Sequence, residues 1–409
     1  MRNNVKDKLL PDEKLTEEFG IFLRNYFGLA SDIDTKKNQI IYGNEITSRE
    51  ELVVEYYGKN NKNHSQTEIK SIYLVDKNNS KLLESLEKES RKALATNNGR
   101  KIERRFLFSP FEVKGNYRFE DEFQIFTVPE NAPKLDDVKD GMYEDHPFIM
   151  EFSYSKSDNV QIDNYRREKR SKELILILNA FLRRGITYVS NNAYNKWVTT
   201  NYHPSKVIYA QIGYKADNEK REKDQYGFTV YDKDKVFYKL ESENYYSTDM
   251  IEENELRLPS NIDLLISKFN SLSEQEKGNF LRASYWKWVG SETFHISQSN
   301  AYIALANAIE SLLPELTGER CSECNRHKEG PTKLFQSFVK DYYPDLELKY
   351  IKELYDLRSI YTHGKRLMLN DLGIRSFNRL SINESTKYRT MLQVVQMGMV
   401  NWLDKQQKN

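Results

Sequence analysis

The spacing of hydrophobic residues changes once along this chain of 409 residues, and that change limits the fold more than any other feature. Before about residue 250, short runs rich in Tyr, Phe, Ile and Val alternate with polar segments, a pattern typical of β-strands. After Pro259, apolar residues recur every three or four positions, which indicates amphipathic helices. The sequence therefore predicts an α+β fold, with a strand-rich mixed N-terminal region followed by an all-α helical bundle.

The N-terminal region contains seven predicted strands and one predicted helix over 164–184, which Gly185 ends. The strands are predicted at 70–75, 104–108, 123–128, 147–154, 206–214, 226–232 and 235–242. An acidic segment without a basic residue, 241–256, precedes the change of pattern. We therefore predict a mixed α+β sensor or regulatory region over 1–255, in one or two subdomains, and a helical domain over 256–409.

The helical domain is predicted to contain five helices with short connections, which favours a bundle. Ser273 and Glu276 have the spacing of a capping box, in which each side chain bonds the backbone N–H of the other residue. Ser381 and Glu384 repeat this spacing and predict the start of the last, long helix.

The composition argues against several classes of protein. The 62 Lys and Arg residues nearly balance the 61 Asp and Glu residues, so the chain lacks the excess of positive charge that a histone-like protein needs. Two cysteines are too few for a disulfide-stabilised secreted scaffold. The first residues do not resemble a signal peptide, and no apolar run approaches the roughly 20 residues that span a bilayer. We expect a cytoplasmic protein that does not engage a membrane.

The fourth predicted helix ends in LYDLRSIYTHGK, which places an arginine and a histidine five residues apart. Arg358 falls on the apolar side of the helix, where a permanent charge is costly unless an anion meets it. His363 comes directly before Gly364, a residue that suits the first position after a helix. Five helical steps separate the arginine and the histidine by roughly 140° around the axis. They form a shared site only if the helix end loosens or a second copy of the chain adds its own pair.

The two side chains supply the groups that RNA cleavage without a metal requires. Histidine can take a proton from a 2′-hydroxyl or give one to the leaving oxygen, and arginine can stabilise the charge on phosphorus. Candidate substrate-binding residues around the pair are Ser359, Tyr361, Lys365 and Arg366. The alternative is structural, with the arginine paired to a carboxylate in the core and the histidine acting as a cation at the helix end. The spacing alone does not separate these interpretations.

The order of these patterns resembles the HEPN superfamily. Residues 273–405, from SYWKWVG through SNAYIALANAIESLLPEL and CSEC to LYDLRSIYTHGK, look most like the Apea-like HEPN domain. The resemblance implies a metal-independent endoribonuclease that works as a homodimer, with the Arg-x4-His segments of two protomers facing each other in one cleft. Arg358 and His363 match the catalytic positions of the motif. Ser359 departs from the Asn, Asp or His that commonly follows the arginine in the superfamily.

The resemblance also implies a biological setting. Members of the family act as prokaryotic antiphage or toxin-like effectors of abortive infection, and they cut cellular RNA, often transfer RNA. The region 1–255 would then sense a trigger and hold the nuclease in check, although the sequence does not identify that trigger as a phage protein, a nucleic acid or a small molecule. The alternative is a non-catalytic HEPN module that binds nucleic acid or a protein partner.

A second cluster of chemically active residues lies in the loop between the second and third predicted helices. Cys321, Cys324 and His327 have the spacing C-x2-C-x2-H, and two thiolates two residues apart are good zinc ligands. The sequence offers no obvious fourth ligand. A structural zinc ion is one interpretation, and a loop with two reduced thiols or a redox pair is the other. No cofactor is expected for catalysis.

Overall fold

The computed structural model describes most of the chain, namely residues 4–28, 32–43, 51–57, 68–75, 79–96, 99–128, 146–183, 185–188, 196–203, 206–213, 222–231, 237, 239–241, 245–246, 255–314, 330–373 and 379–406. The chain forms two compact units. The first comprises Met1–Glu103 and Ser153–Ser171, and the second comprises Arg104–Phe152 and Lys172–Asn409. The predicted boundary between 255 and 256 falls inside the second unit, and the functions predicted for the two regions stay predictions.

The first unit contains a four-stranded antiparallel sheet in the order β1-β2-β3-β4. Its strands are β1 (Asp32–Asp34), β2 (Gln39–Gly43), β3 (Glu51–Tyr56) and β4 (Ile69–Leu74). Its helices are α1 (Lys6–Leu9), α2 (Thr16–Phe27) and α3 (Ser80–Leu94), and a 3-10 helix covers Glu13–Leu15. Phe19 of α2, Val54 of β3 and Leu86 of α3 are fully buried in one apolar core.

A long helix, α4 (Val160–Phe181), confirms the helix predicted over 164–184 and begins four residues earlier. Its first part belongs to the first unit, where Arg166 is buried. The guanidinium of Arg166 donates to Oε2 of Glu18 at 2.6 Å and to the carbonyl oxygen of Ala95 at 3.0 Å. This arginine is therefore a structural cation of the first unit.

Most residues of a five-stranded sheet in the order β6-β7-β8-β5-β9 belong to the second unit. The strands are β5 (Arg100–Ser109), β6 (Asn116–Phe119), β7 (Phe123–Thr127), β8 (His146–Ser155) and β9 (Thr187–Tyr188). Glu151 of β8 is buried and accepts hydrogen bonds from Nη2 of Arg104 at 2.6 Å and from the backbone N–H of Thr229 at 2.8 Å. The carboxylate therefore fixes the segment 222–231 against this sheet.

The prediction of a strand at 226–232 is wrong for the described residues, 226–231. Side-chain oxygens there accept hydrogen bonds from the backbone N–H groups that pairing with another strand would need. The N–H of Phe228 donates to Oδ1 of Asp224, and the N–H of Thr229 donates to Glu151. Of the strand predicted at 235–242, the described residues form only the short strand β12 (Lys239–Leu240), which pairs in parallel with β13 (Leu258–Pro259). Strands β10 (Lys196–His203) and β11 (Lys206–Gly213) form an antiparallel hairpin that confirms the strand predicted at 206–214.

After Pro259 the described residues form helices only, which confirms the predicted α+β class with its helices at the C-terminal end. These helices are α5 (Ile262–Asn270), α6 (Glu274–Thr293), α7 (Gln298–Glu310), α8 (Pro331–Tyr342), α9 (Leu348–Thr362) and α10 (Arg379–Gln406), with a 3-10 helix over Leu369–Leu372. The sequence patterns predicted the last five of these but not α5. No helix in the described stretches has both the length and the apolar character needed to cross a membrane.

One of the two predicted capping boxes is present. The Ser273 hydroxyl accepts from the backbone N–H of Glu276, whose side chain accepts from the backbone N–H of Ser273, so the box opens α6 as predicted. The box predicted at Ser381 and Glu384 is wrong, because α10 begins two residues before Ser381. The Glu384 carboxylate instead accepts from the backbone N–H of Leu369 at 2.9 Å.

The α6 helix packs against the carboxyl end of α4 within the second unit. Phe280 of α6 lies 5.8 Å from Phe181 of α4 between ring centroids, and the Ser284 hydroxyl donates to the carbonyl oxygen of Leu176. Nζ of Lys287 is fully buried and donates to the carbonyl oxygens of Asn179 at 2.8 Å, Ala180 at 3.2 Å and Leu182 at 2.7 Å. A lysine of α6 therefore bonds carbonyls at and just after the end of α4, where helix carbonyls have no partner within their own helix.

Candidate functional site

The Arg-x4-His segment occupies the carboxyl end of α9, which closes in a Schellman motif. The N–H of Gly364 donates to the carbonyl oxygen of Tyr361, and the N–H of Lys365 donates to that of Ile360, both at 3.1 Å. Gly364 has a φ of 63°, a left-handed conformation that a residue with a Cβ adopts only at a cost. His363 is the cap residue of the helix, and its side chain is exposed.

Arg358 lies one and a half turns earlier and pairs with Glu310, the last residue of α7. Nη2 of the arginine is 3.0 Å from Oε2 of the glutamate, and the two side chains are 22% and 27% exposed. The guanidinium also lies 5.8 Å from the centroid of the Tyr355 ring. Within the described residues, Nε of Arg358 and Oε1 of Glu310 are buried and have no hydrogen-bond partner. The pair is therefore partly exposed to solvent, and the hydrogen-bonding capacity that it leaves unused lies on buried atoms.

The His363 imidazole and the Lys365 ammonium are exposed, and neither forms a hydrogen bond or an ion pair with another described residue. No hydrogen bond joins Arg358 to His363 in this part of the chain either. Within the described residues of one copy, Arg358 and His363 therefore lie near the same helix end but do not contact each other through a hydrogen bond. This agrees with the separation of roughly 140° around the axis that helix geometry predicts.

The other predicted binding residues occupy different environments. Arg366 is 44% exposed and lies 3.2 Å from Oε1 of Glu384. Tyr361 is buried, its ring packs on Tyr302 with centroids 5.5 Å apart, and burial raises the pKa of its hydroxyl. Ser359 is half-buried, and its carbonyl oxygen accepts from the N–H of His363. Tyr361 has the position of a core residue, and binding of RNA by each of these residues stays a prediction.

The segment that follows the motif is fastened to the amino end of α7 by Asp371. Its carboxylate accepts from the backbone N–H groups of Gln298 at 2.6 Å and Ser299 at 2.9 Å, and from the Ser297 hydroxyl at 3.0 Å. Burial opposes the charge on Asp371, but these hydrogen bonds outweigh it and lower the pKa of the carboxyl group. The backbone N–H of Met368 adds a bond to the Ser299 hydroxyl at 2.8 Å. The exit from the Arg-x4-His helix is therefore held in place by α7.

Large apolar side chains are exposed around this exit. Glu384 brings the first turns of α10 next to the segment through its bonds to Leu369 and Arg366. The exposed side chains on the two segments are those of Leu367 (47%), Leu372 (55%), Leu380 (44%) and Ile382 (56%). Exposed apolar residues on two neighbouring segments make this exit a candidate protein-binding surface.

Glu310 also lines a pocket of about 570 Å³. Its wall is formed by α6, the carboxyl end of α7 and the start of α8, and it mixes amide, charged and apolar groups. The lining residues are Gln275, Asn279, Arg282, Trp286, Asn307, Glu310, Ser311, Leu313, Pro314, Pro331 and Leu334. Glu310 therefore belongs both to this pocket and to the ion pair with Arg358.

The predicted zinc ligands Cys321, Cys324 and His327 lie outside the described residues. Among the residues that the structure does describe, no three His, Cys, Asp or Glu side chains come together as the ligands of a metal ion would. A structural zinc ion in this loop stays a prediction.

The sequence patterns did not identify Glu310 or Asp371 as parts of the site. Glu310 is the only charged residue in the stretch QSNAYIALANAIE that forms α7. A single charge in an otherwise uncharged helix could have marked it as a candidate site residue. Comparison of the chain with protein-family models, with curated proteins and with solved structures finds no match. The resemblance to the Apea-like HEPN domain therefore rests on the residues quoted for it.

Proposed function

We propose that this chain is a metal-independent endoribonuclease in which Arg358 and His363 are the catalytic residues. The observation that carries the proposal is the exposed imidazole of His363, which makes no bond to a described residue and lies five residues after a partly exposed arginine. Such an imidazole can accept the proton of a 2′-hydroxyl or donate one to the leaving 5′-oxygen. The guanidinium of Arg358 can stabilise the charge that develops on the phosphate.

The proposed active form is a homodimer. The two candidates point about 140° apart on one helix, so a second copy of α9 is the simplest way to complete a site. The exposed apolar side chains around the exit, among them Leu372 and Ile382, supply a surface that a second copy would cover. Lys365 and Arg366 follow the motif directly and would bring positive charge to the resulting cleft, where RNA phosphates bind.

The central test replaces His363 with alanine and measures cleavage of cellular RNA, transfer RNA included, in the presence of EDTA. We expect the H363A protein to lose cleavage by at least about a hundredfold, because general acid–base catalysis contributes roughly 10²–10⁴-fold. His295 is also exposed and provides a matched control, so H295A should cleave like the wild type. Equal cleavage by H363A and the wild type would refute the catalytic role, and cleavage that EDTA abolishes would indicate a metal-dependent nuclease instead.

Mixing two inactive variants tests the dimer. If a site combines side chains from two copies, a heterodimer of R358A and H363A protomers retains one wild-type arginine and one wild-type histidine in the same cleft. We expect partial recovery of cleavage on mixing, together with a dimeric mass in sedimentation. Recovery should be weaker when each variant also carries I382D, because a buried charge opposes association at an apolar interface.

A non-catalytic helical module that binds nucleic acid or a protein is the second candidate. The ion pair between Arg358 and Glu310 favours it, because it gives the arginine a structural partner within one copy. Unchanged binding of RNA by H363A, without cleavage by any variant, would support this module. An antiphage role in the cytoplasm of a prokaryote, with the region 1–255 sensing the trigger, is proposed on the resemblance, and protection of cells from phage by wild type but not H363A would test it.

A further inference from the structure

We propose that the pocket beside Glu310 is a nucleotide subsite, in which the base of one RNA nucleotide stacks on Trp286 and its phosphate binds Arg282. The pocket, at about 570 Å³, is large enough for one nucleotide. The inference rests on the proposed function for the identity of RNA as the ligand, and it adds a binding site that lies outside the Arg-x4-His segment.

One face of α6 presents the groups that a nucleotide requires. Gln275, Asn279, Arg282 and Trp286 follow one another at intervals of four, three and four residues, so they lie on the same side of the helix and all line the pocket. The Arg282 guanidinium donates to Oδ1 of Asn279, which orients both side chains. Arg282 is exposed and Trp286 is half-buried, and both are therefore accessible to a ligand.

The chemistry of these groups matches a nucleotide better than an apolar ligand. An indole ring offers a surface on which any base can stack, and a guanidinium binds phosphate oxygens in a bidentate manner. Because Oδ1 of Asn279 accepts from Arg282, the amide nitrogen of Asn279 is left to donate to a carbonyl oxygen of the base. The face of α6 thus supplies a stacking surface, a cation and an amide donor in one pocket.

Glu310 connects the pocket to the proposed catalytic arginine. Its Oε2 accepts from Arg358, whereas its buried Oε1 has no partner among the described residues. A carboxylate can only accept hydrogen bonds, and Glu310 lines the pocket, so a turn of its side chain that brings the buried oxygen to the pocket surface would let it accept from an N–H group on the edge of a base. Guanine offers two neighbouring N–H donors. A base that bonds Glu310 would therefore share this residue with Arg358, the arginine proposed to bind the scissile phosphate.

The direct test measures binding of guanosine monophosphate to the full chain by calorimetry. We expect binding in the millimolar range or tighter for the wild type and for H363A, and at least about tenfold weaker binding for W286A and R282Q, because stacking on one aromatic residue contributes up to about a hundredfold. Y350A and R389Q remove an aromatic ring and a charge from exposed positions of α9 and α10 and should bind like the wild type. W286F should bind more tightly than W286A, since it retains a ring.

The test also separates this inference from the proposed function. Ribose 5-phosphate lacks a base, so binding as tight as that of guanosine monophosphate would overturn the subsite. A free nucleotide that binds without competing with RNA, or an unchanged KM for RNA in W286A while H363A is inactive, would overturn the subsite and leave the nuclease. Nucleotide binding that requires Trp286 and competes with RNA, in a protein that cleaves no RNA, would support the subsite and overturn the nuclease.

Discussion

Arg358 and Glu310 form an ion pair between α9 and the end of α7, with Nη2 of the arginine 3.0 Å from Oε2 of the glutamate. Both side chains are about a quarter exposed, so solvent screens the pair and its contribution to stability is small, about 0.2–1 kcal/mol. The ion pair therefore matters more for the position of the guanidinium than for the stability of the fold. It holds the guanidinium near a pocket and at the same helix end as an exposed histidine.

The first prediction concerns this pair. The change R358M should lower RNA cleavage by about a hundredfold or more, because it removes the charge that stabilises the phosphate, while it changes the free energy of unfolding by less than about 1 kcal/mol. Urea denaturation and single-turnover cleavage on the same preparations check both values. A large loss of stability with unchanged specific cleavage by the folded fraction would show that the arginine is only structural.

The second prediction concerns the end of α9. The change G364A should destabilise the protein by about 1 kcal/mol, because the Schellman motif requires a φ of 63° that alanine adopts poorly. Gly278 is a matched control, since it lies inside α6 with open space around it, and G278A should be neutral or stabilising by up to about 1 kcal/mol. Equal shifts of the midpoint of thermal unfolding, in the same direction for both variants, would show that the left-handed conformation of Gly364 imposes no cost on alanine.

The third prediction concerns Asp371, which caps the amino end of α7. The change D371N should cost about 1–2 kcal/mol at neutral pH, because an amide cannot replace a carboxylate that accepts three hydrogen bonds. The pKa of Asp371 is lowered in the folded protein, so its stabilisation is complete above the usual pKa of aspartate and is lost as the pH falls through the lowered value. The difference in unfolding free energy between the two proteins should therefore narrow in acid. A difference that is constant from pH 3 to pH 7 would contradict this account.

The fourth prediction concerns Lys287, which burial holds at a pKa of about 7 instead of the ordinary 10.5. The change K287M should destabilise the protein by about 2–5 kcal/mol, because three buried carbonyl oxygens at the end of α4 lose their donor.

The pH dependence of this effect has a defined sign. Between pH 7 and 10.5 the unfolded chain binds a proton that the folded chain has released from Lys287. Stability of the wild type should therefore rise with pH over that window relative to K287M, by up to about 1.4 kcal/mol per pH unit. Urea denaturation at pH 7, 8 and 9 measures the trend, and parallel profiles for the two proteins would falsify it.

The helical half of the fold was predictable because its signals are local. The capping box at Ser273, the proline that starts α8 and the glycine after His363 each fix a helix end through bonds within a few residues. The box at Ser381 failed because Glu384 bonds to the exit segment after α9, a contact that no local pattern shows.

The strands and the site were harder to predict because they depend on distant residues. The strand predicted at 226–232 has the right composition, but the carboxylates of Asp224 and Glu151 capture its N–H groups. The spacing of Arg358 and His363 made them candidates, and the resemblance to the HEPN superfamily favoured the catalytic interpretation over the structural one. Glu310, which orients Arg358, lies 48 positions before it in the sequence. Only the packing of α7 on α9 brings the two residues together.

The bond between Lys287 and the end of α4 has a consequence for synthesis of the chain. Asn179 leaves the ribosome 108 residues before Lys287, which amounts to roughly 5–20 s of translation. Throughout that interval Phe181, at the carboxyl end of α4, lacks Phe280 of α6, the ring on which it packs in the folded protein. A nascent chain halted between the two elements would therefore be a preferred client of chaperones that bind exposed apolar helices.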